Sequence, residues 1–154
     1  MILISACLLG CACRYDGKSK PHPLAQALAR QGLAVPVCPE QLGGLPTPRA
    51  PSERQGERVV SSLGADVTAQ YRRGAEEALR LAELYGCTTA VLKERSPSCG
   101  SGAIYDGTFT GTVTEGWGTA AAYWARVSWQ ACWKNWAVHN SRYVQEACRA
   151  ARLS

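Results

Sequence analysis

Three short apolar runs punctuate the first two-thirds of the chain: Ile2–Ala6, Leu33–Val37 and Thr89–Lys93. Near-continuous apolar runs of this length, bounded by turn residues, read as strands buried on both faces. Between the first two runs, Leu24–Gln31 reads as a short helix ended by Gly32. Thr68 to Tyr85 is the clearest helix. Its Tyr71, Ala75, Ala78, Leu79, Ala82 and Tyr85 recur at three- and four-residue steps, with Arg72, Arg73, Glu76, Glu77, Arg80 and Glu83 between them. Asp66 or Thr68 can cap it, and Gly86 stops it. Arg58–Ser62 reads as a short strand or hairpin arm. The alternation of strand and helix predicts an α/β fold: a single compact Rossmann-like domain, a mainly parallel sheet flanked by helices.

Two linking segments break this pattern. Gly10 to Pro23 is rich in turn residues and contains Cys11, Cys13 and Arg14-Tyr15-Asp16-Gly17. Pro39 to Pro51 carries so many Pro and Gly residues that it reads as an irregular loop, and loops of that length are more often functional than filler.

With 154 residues the chain is long enough for one well-buried core. It therefore has no need of disulfide staples, and its eight cysteines point to a reducing compartment. The first eleven residues superficially resemble a lipoprotein signal. They lack a positively charged start, however, and the apolar run is broken by Ser5 and Cys7. No run approaches the ~18 apolar residues of a membrane span, so a soluble, cytoplasmic protein is expected. The net charge of +5 is concentrated in residues 123–154, where Arg126, Lys134, Arg142, Arg149 and Arg152 face Glu146 alone. The remainder is nearly neutral, which argues against nucleic acid as the partner.

Chemistry enters with the cysteines. Cys7 and Cys38 each follow an apolar strand, and Cys99 lies in Ser96-Pro97-Ser98-Cys99-Gly100 just beyond the third. The C-terminal ends of parallel strands share one edge, where ligands bind, so the three thiols are expected to meet there. A thiolate-liking metal or cluster is the first reading; for Cys7 taken alone the bland alternative is a small buried hydrophobe. Cys11-Ala12-Cys13 has no second close pair to complete a zinc quartet. His22 and His139 have no partner at ligand spacing and are expected on the surface. Glu40 follows Cys38 closely enough to face the same pocket and act as a base; otherwise it is a loop carboxylate, in solvent or paired with Arg49. Ser96 and Ser98 either bond a water or substrate carbonyl, or cap their own turn.

Taken together, Ser5-Ala-Cys-Leu-Leu-Gly10, Arg14-Tyr-Asp-Gly17, Val35-Pro-Val-Cys-Pro-Glu-Gln-Leu-Gly-Gly-Leu-Pro-Thr-Pro-Arg49, Gly64-Ala-Asp-Val-Thr68, Leu92-Lys-Glu-Arg-Ser-Pro-Ser-Cys-Gly100 and Ile104-Tyr-Asp-Gly-Thr-Phe109 resemble the thiouracil desulfidase family. The resemblance implies a [4Fe-4S] cluster on three cysteines with one open iron. It carries the ligands onto Cys7, Cys38 and Cys99, with Cys13 as the alternative to Cys7. The catalytic side chains carry over as Glu40 and Ser96, with Ser98 as the alternative serine. The implied activity is non-redox removal of sulfur from 2- or 4-thiouracil, giving uracil and hydrogen sulfide. Expected partners are small thiolated nucleobases or nucleosides. The rival readings are a non-catalytic cluster- or metal-binding module, and a desulfidase for 4-thiouridine in transfer RNA.

The motifs cover about residues 1–120 and stop after Gly118-Thr-Ala-Ala. We therefore divide the chain into a desulfidase-like domain, 1–122, and a divergent Trp-rich basic tail, 123–154, completing or appended to it. All five tryptophans lie between residues 117 and 136. Read one base earlier, a tryptophan codon gives leucine, valine or methionine, and with suitable codons the stretch becomes family-like. The expectation is thus either a single-base shift near residues 121–123 or a native Trp-rich helix packing on the domain.

Overall fold

A computed structural model describes residues 1–127. In chain order it contains β1 (Ile2–Ser5), α1 (Ala6–Leu9), α2 (Pro23–Arg30), β2 (Ala34–Val37), α3 (Pro39–Leu42), β3 (Ser52–Gln55) and β4 (Arg58–Ser61). There follow α4 (Thr68–Leu84), β5 (Thr89–Val91), β6 (Ala103–Tyr105), β7 (Val113–Glu115) and α5 (Thr119–Val127). The segment from residue 128 onward, with Trp129, Cys132, Trp133, Trp136, His139 and Cys148, lies outside the described residues, whereas the expected shift point, residues 121–123, falls within α5.

The three predicted strands form one parallel sheet, in the order β2–β1–β5. Alternation along β1 sends successive side chains to opposite faces. Ile2 and Ile4 pack with Ala25 and Leu28 of α2, while Leu3 packs with Val35, Val37, Ala90 and Ala82 of α4, and with Ala121 and Trp124 of α5. Covered on both faces, the strands carry continuous apolar sequence for that reason. The fold is mixed α/β, with a parallel sheet flanked by helices.

Several boundaries differ from the sequence reading. Ala6 leaves the first strand and opens α1, so Cys7 sits on a one-turn helix. The start of the Pro-rich segment is likewise helical: Pro39 at its first position has the fixed φ that suits a helix start, and Cys38 is its N-cap. Arg58–Ser61 does pair, antiparallel with β3. The hairpin β6–β7 was not anticipated; α5, with Trp124 buried in the core, falls where the sequence reading offers a Trp-rich helix packing on the domain. Asp66 stands one residue before the N-cap of α4, Val67, and accepts from the N–H and hydroxyl of Thr68. Tyr85 is half exposed and just past the helix end, so it is not part of the buried face.

Small residues bring α3 against α4. A Cβ on Gly43 would overlap the carbonyl of Gln70, and one on Gly74 would overlap the carbonyl of Pro39. The two backbones meet without side chains between them, and this fixes where α3 presents Glu40.

Candidate active site

The chain leaving the C-terminal ends of β1, β2 and β5 encloses a cavity of about 480 Å³. Cys7, Cys38 and Cys99 all line it, together with Glu40 and Ser96. Three strand ends that are far apart in sequence thus deliver three thiols to one space. Cys13, the alternative to Cys7, lines the cavity as well. Cys7, Cys13 and Cys99 are buried and Cys38 is partly buried, whereas Cys11 is exposed.

The thiols are chemically linked. Cys38 Sγ donates to the Cys13 carbonyl at 3.7 Å, and the neighbouring Cys13 thiol holds Cys7 below the ordinary thiol value against burial. Cys38 is raised by the neighbouring Cys13 and by burial. For Cys13 the neighbouring Cys38 pulls downward, but Cys7 and burial push it up to about 11. Burial pushes Cys99 up to about 12, against the hydroxyls of Ser5 and Ser98, which lower it.

Glu40 combines both roles that the sequence leaves open. Its Oε2 accepts from Arg49 Nε at 2.7 Å and from Nη2 at 2.6 Å, an ion pair with side chains only 14% and 7% exposed. Its Oε1 lies 3.5 Å from Ser96 Oγ, on the cavity side. Arg49 also donates to the carbonyl of Cys13 at 3.0 Å, joining the Glu40 helix to the loop that carries the fourth thiol. Burial opposes the Arg49 charge, and Glu40 more than compensates, so the guanidinium stays above its ordinary value.

Ser96 caps its turn and faces the cavity at once. Its oxygen accepts the backbone N–H groups of Ser98 and Cys99, each at 3.1 Å. Ser98 is absent from the cavity wall and is 1% exposed. His22 does not reach the cavity, and His139 lies outside the described residues.

Sequence reasoning missed part of the wall. Tyr71 reads from its spacing as core, yet its hydroxyl meets Ser52 and Glu40 in the cavity, where burial raises its pKa. The signal was there: Tyr71 is the one aromatic on a helix face otherwise built from alanine and glycine. Glu53, Tyr105 and Phe109 also line the cavity. They come from the hairpins, whose short strands leave little periodic signal.

The donors fit an iron–sulfur cluster better than a single ion. Among the described residues no three His, Cys, Asp or Glu side chains are placed to hold one metal ion. Thiols spread around a cavity suit a cluster, in which each thiolate binds a different iron. The Ser98 hydroxyl is buried with no hydrogen-bond partner, yet it lies close enough to the Cys99 sulfur to lower that thiol's pKa. A thiolate charged by iron would give this donor the acceptor it lacks.

Comparison with known proteins gives the family. The family model described as 2-thiouracil desulfurase matches residues 2–133. The chain is 42% identical over 132 residues to the uncharacterized protein YbbK of Bacillus subtilis (strain 168), covering 79% of this chain and 87% of that one. It is 54% identical to a solved structure of TudS (DUF523Vcz), a [4Fe-4S]-dependent thiouracil desulfidase. That match has a TM-score of 0.78 and covers 81% of this chain and 84% of the other.

Proposed function

The chain belongs to the 2-thiouracil desulfurase family, and from this we propose that it is a [4Fe-4S]-dependent desulfidase of thiouracil. The observation that carries the proposal is the meeting of Cys7, Cys38, Cys99, Glu40 and Ser96 on one cavity. Cys7, Cys38 and Cys99 would hold the cluster, with Cys13 beside them. When bound, a cluster with one iron free of protein ligand supplies a thiophilic Lewis acid for the thiocarbonyl sulfur.

The chain's own residues handle the water. Arg49 occupies Glu40 Oε2, so Oε1 is the oxygen left to accept a proton inside the cavity. The Ser96 oxygen is taken up by two backbone N–H groups, so its own hydrogen is aimed toward Glu40 and whatever lies between them. A water held by this pair is positioned to attack the thiocarbonyl carbon. Water replaces sulfur, giving the carbonyl and hydrogen sulfide, with no net electron transfer.

We place the substrate among small thiolated pyrimidine bases and nucleosides, because the near-neutral charge of residues 1–122 favours a small ligand over nucleic acid. No described helix is long and apolar enough to cross a membrane, and the free cysteines fit a cytoplasmic location. The parallel order β2–β1–β5 supports a Rossmann-like reading of the sheet. The division at residues 122 and 123 is kept for sequence origin; structurally α5 runs across it, with Trp124 buried in the core. The deciding experiment is release of sulfide from 2- or 4-thiouracil by anaerobically reconstituted protein. Full iron content without sulfide release would leave the non-catalytic binding module as the reading.

A further inference from the structure

Phe109 is one of two described non-glycine residues with positive φ, at 60°. For a bulky side chain that backbone is a genuine outlier, and such residues persist only where the surroundings enforce them, commonly at ligand clamps. Here the enforcement is explicit. Glu53 is 8% exposed, and its Oε2 accepts the N–H of Gly107 at 2.9 Å and that of Phe109 at 3.0 Å. Gln55 donates to the carbonyl of Gly107 at 2.8 Å, and Asp106 accepts from the N–H and hydroxyl of Thr108. A buried carboxylate is thus spent on fixing one exposed turn. Its product is a single phenylalanine, the only one in the chain, placed on the cavity wall with the thiols, Glu40 and Ser96.

We propose that Phe109 is the stacking platform for the pyrimidine ring, and that Glu53 is the positioning residue that holds it there. The inference rests on the desulfidase reading and adds the determinant of base binding. A planar, electron-poor ring with no charge is recognised best by an aromatic face, and stacking is available to thiouracil whichever carbon bears the sulfur. Three tyrosines share the cavity wall, and of these Tyr105 is half-buried in the β6 strand. Tyr15 is exposed, but its ring already has the guanidinium of Arg14 as a partner, 5.8 Å from its centroid. Tyr71 is buried beneath Glu40. Phe109 keeps 37% of its surface exposed, so it can meet a ligand entering from solvent.

The test compares Phe109→Ala, Phe109→Leu and Phe109→Trp in anaerobically reconstituted protein, read by KM and kcat for 2-thiouracil and by competitive inhibition with uracil. Loss of a stacking face is expected to raise KM and the uracil inhibition constant about tenfold in the Ala and Leu variants. Iron content and kcat should stay near wild type, and Trp should restore binding. Glu53→Ala should raise KM in the same way, and Glu53→Gln, which keeps an acceptor oxygen, should largely rescue it. An unchanged KM in Phe109→Leu would overturn the platform. So would loss of iron in Phe109→Leu, which would make the ring a structural prop. Wild-type protein that is fully loaded yet releases no sulfide would instead sink the desulfidase reading, and uracil binding would still test the platform.

Discussion

At the residue scale, the three thiolates and the carboxylate separate cleanly in their expected effects. A cluster left with two protein thiolates is poorly held, so Cys7→Ser, Cys38→Ser and Cys99→Ser should each abolish iron retention. Cys11, exposed, and Cys87, on a separate loop, should accept serine with full iron content. Iron analysis after anaerobic reconstitution checks this, and full iron in Cys38→Ser would refute the ligand assignment. The same measurement on Cys13→Ser decides between Cys7 and its neighbour. Glu40→Gln should behave differently, because the amide still bonds Arg49 and orients a water but cannot take its proton. Iron content should be normal, with turnover down by about two to four orders of magnitude. Near-normal turnover would rule out the carboxylate as base.

At the scale of elements, the approach of α3 to α4 makes a sharper test than any single strand. Gly74→Ala would drive a methyl group into the Pro39 carbonyl at the start of the turn that carries Glu40. Overpacking of this kind costs about 1–3 kcal/mol, so thermal unfolding should show a lower midpoint with turnover reduced as well. Retained stability would mean that α3 moves freely against α4. The start of α4 offers a second test. Thr68, through its hydroxyl and N–H, and then Arg58, hold the Asp66 carboxyl at about 2. Being below the unfolded value, near 4, that charge stabilises the fold above about pH 4 and ceases to do so as pH falls toward 2. Asp66→Asn should therefore lower the thermal midpoint at pH 7, and the gap to wild type should close through that window. The long amphipathic helix and the buried parallel strands were legible because period and length agree. The one-turn helices at Cys7 and Glu40 were not, since four residues carry too little periodicity to separate helix from loop.

For the whole molecule, the site was legible where it hangs on strand ends and hidden where it hangs on hairpins. The convergence of Cys7, Cys38 and Cys99 followed from strand order alone, whereas Glu40 and Ser96 needed the motif before geometry could place them 3.5 Å apart. Glu53 was invisible, and Phe109 entered only as the end of a motif with no role attached, because a positive φ and a carboxylate turned inward leave no trace in residue spacing. The assembled cavity also predicts how the loaded protein behaves. Exposed residues such as Tyr15, Lys20 and Arg95 belong to its wall, so the interior reaches solvent. With only Cys7, Cys38 and Cys99 proposed as ligands, a bound cluster of four irons would have one iron without a protein ligand. Anaerobic preparations should be brown, with broad visible absorbance, and should bleach within minutes to hours in air, losing iron and sulfide release together. Protection by uracil would follow if the base closes the opening. Colour and activity that survive prolonged exposure would mean that every iron is ligated by protein, and Cys13, on the cavity wall beside Cys7 and Cys38, would be the thiol to suspect.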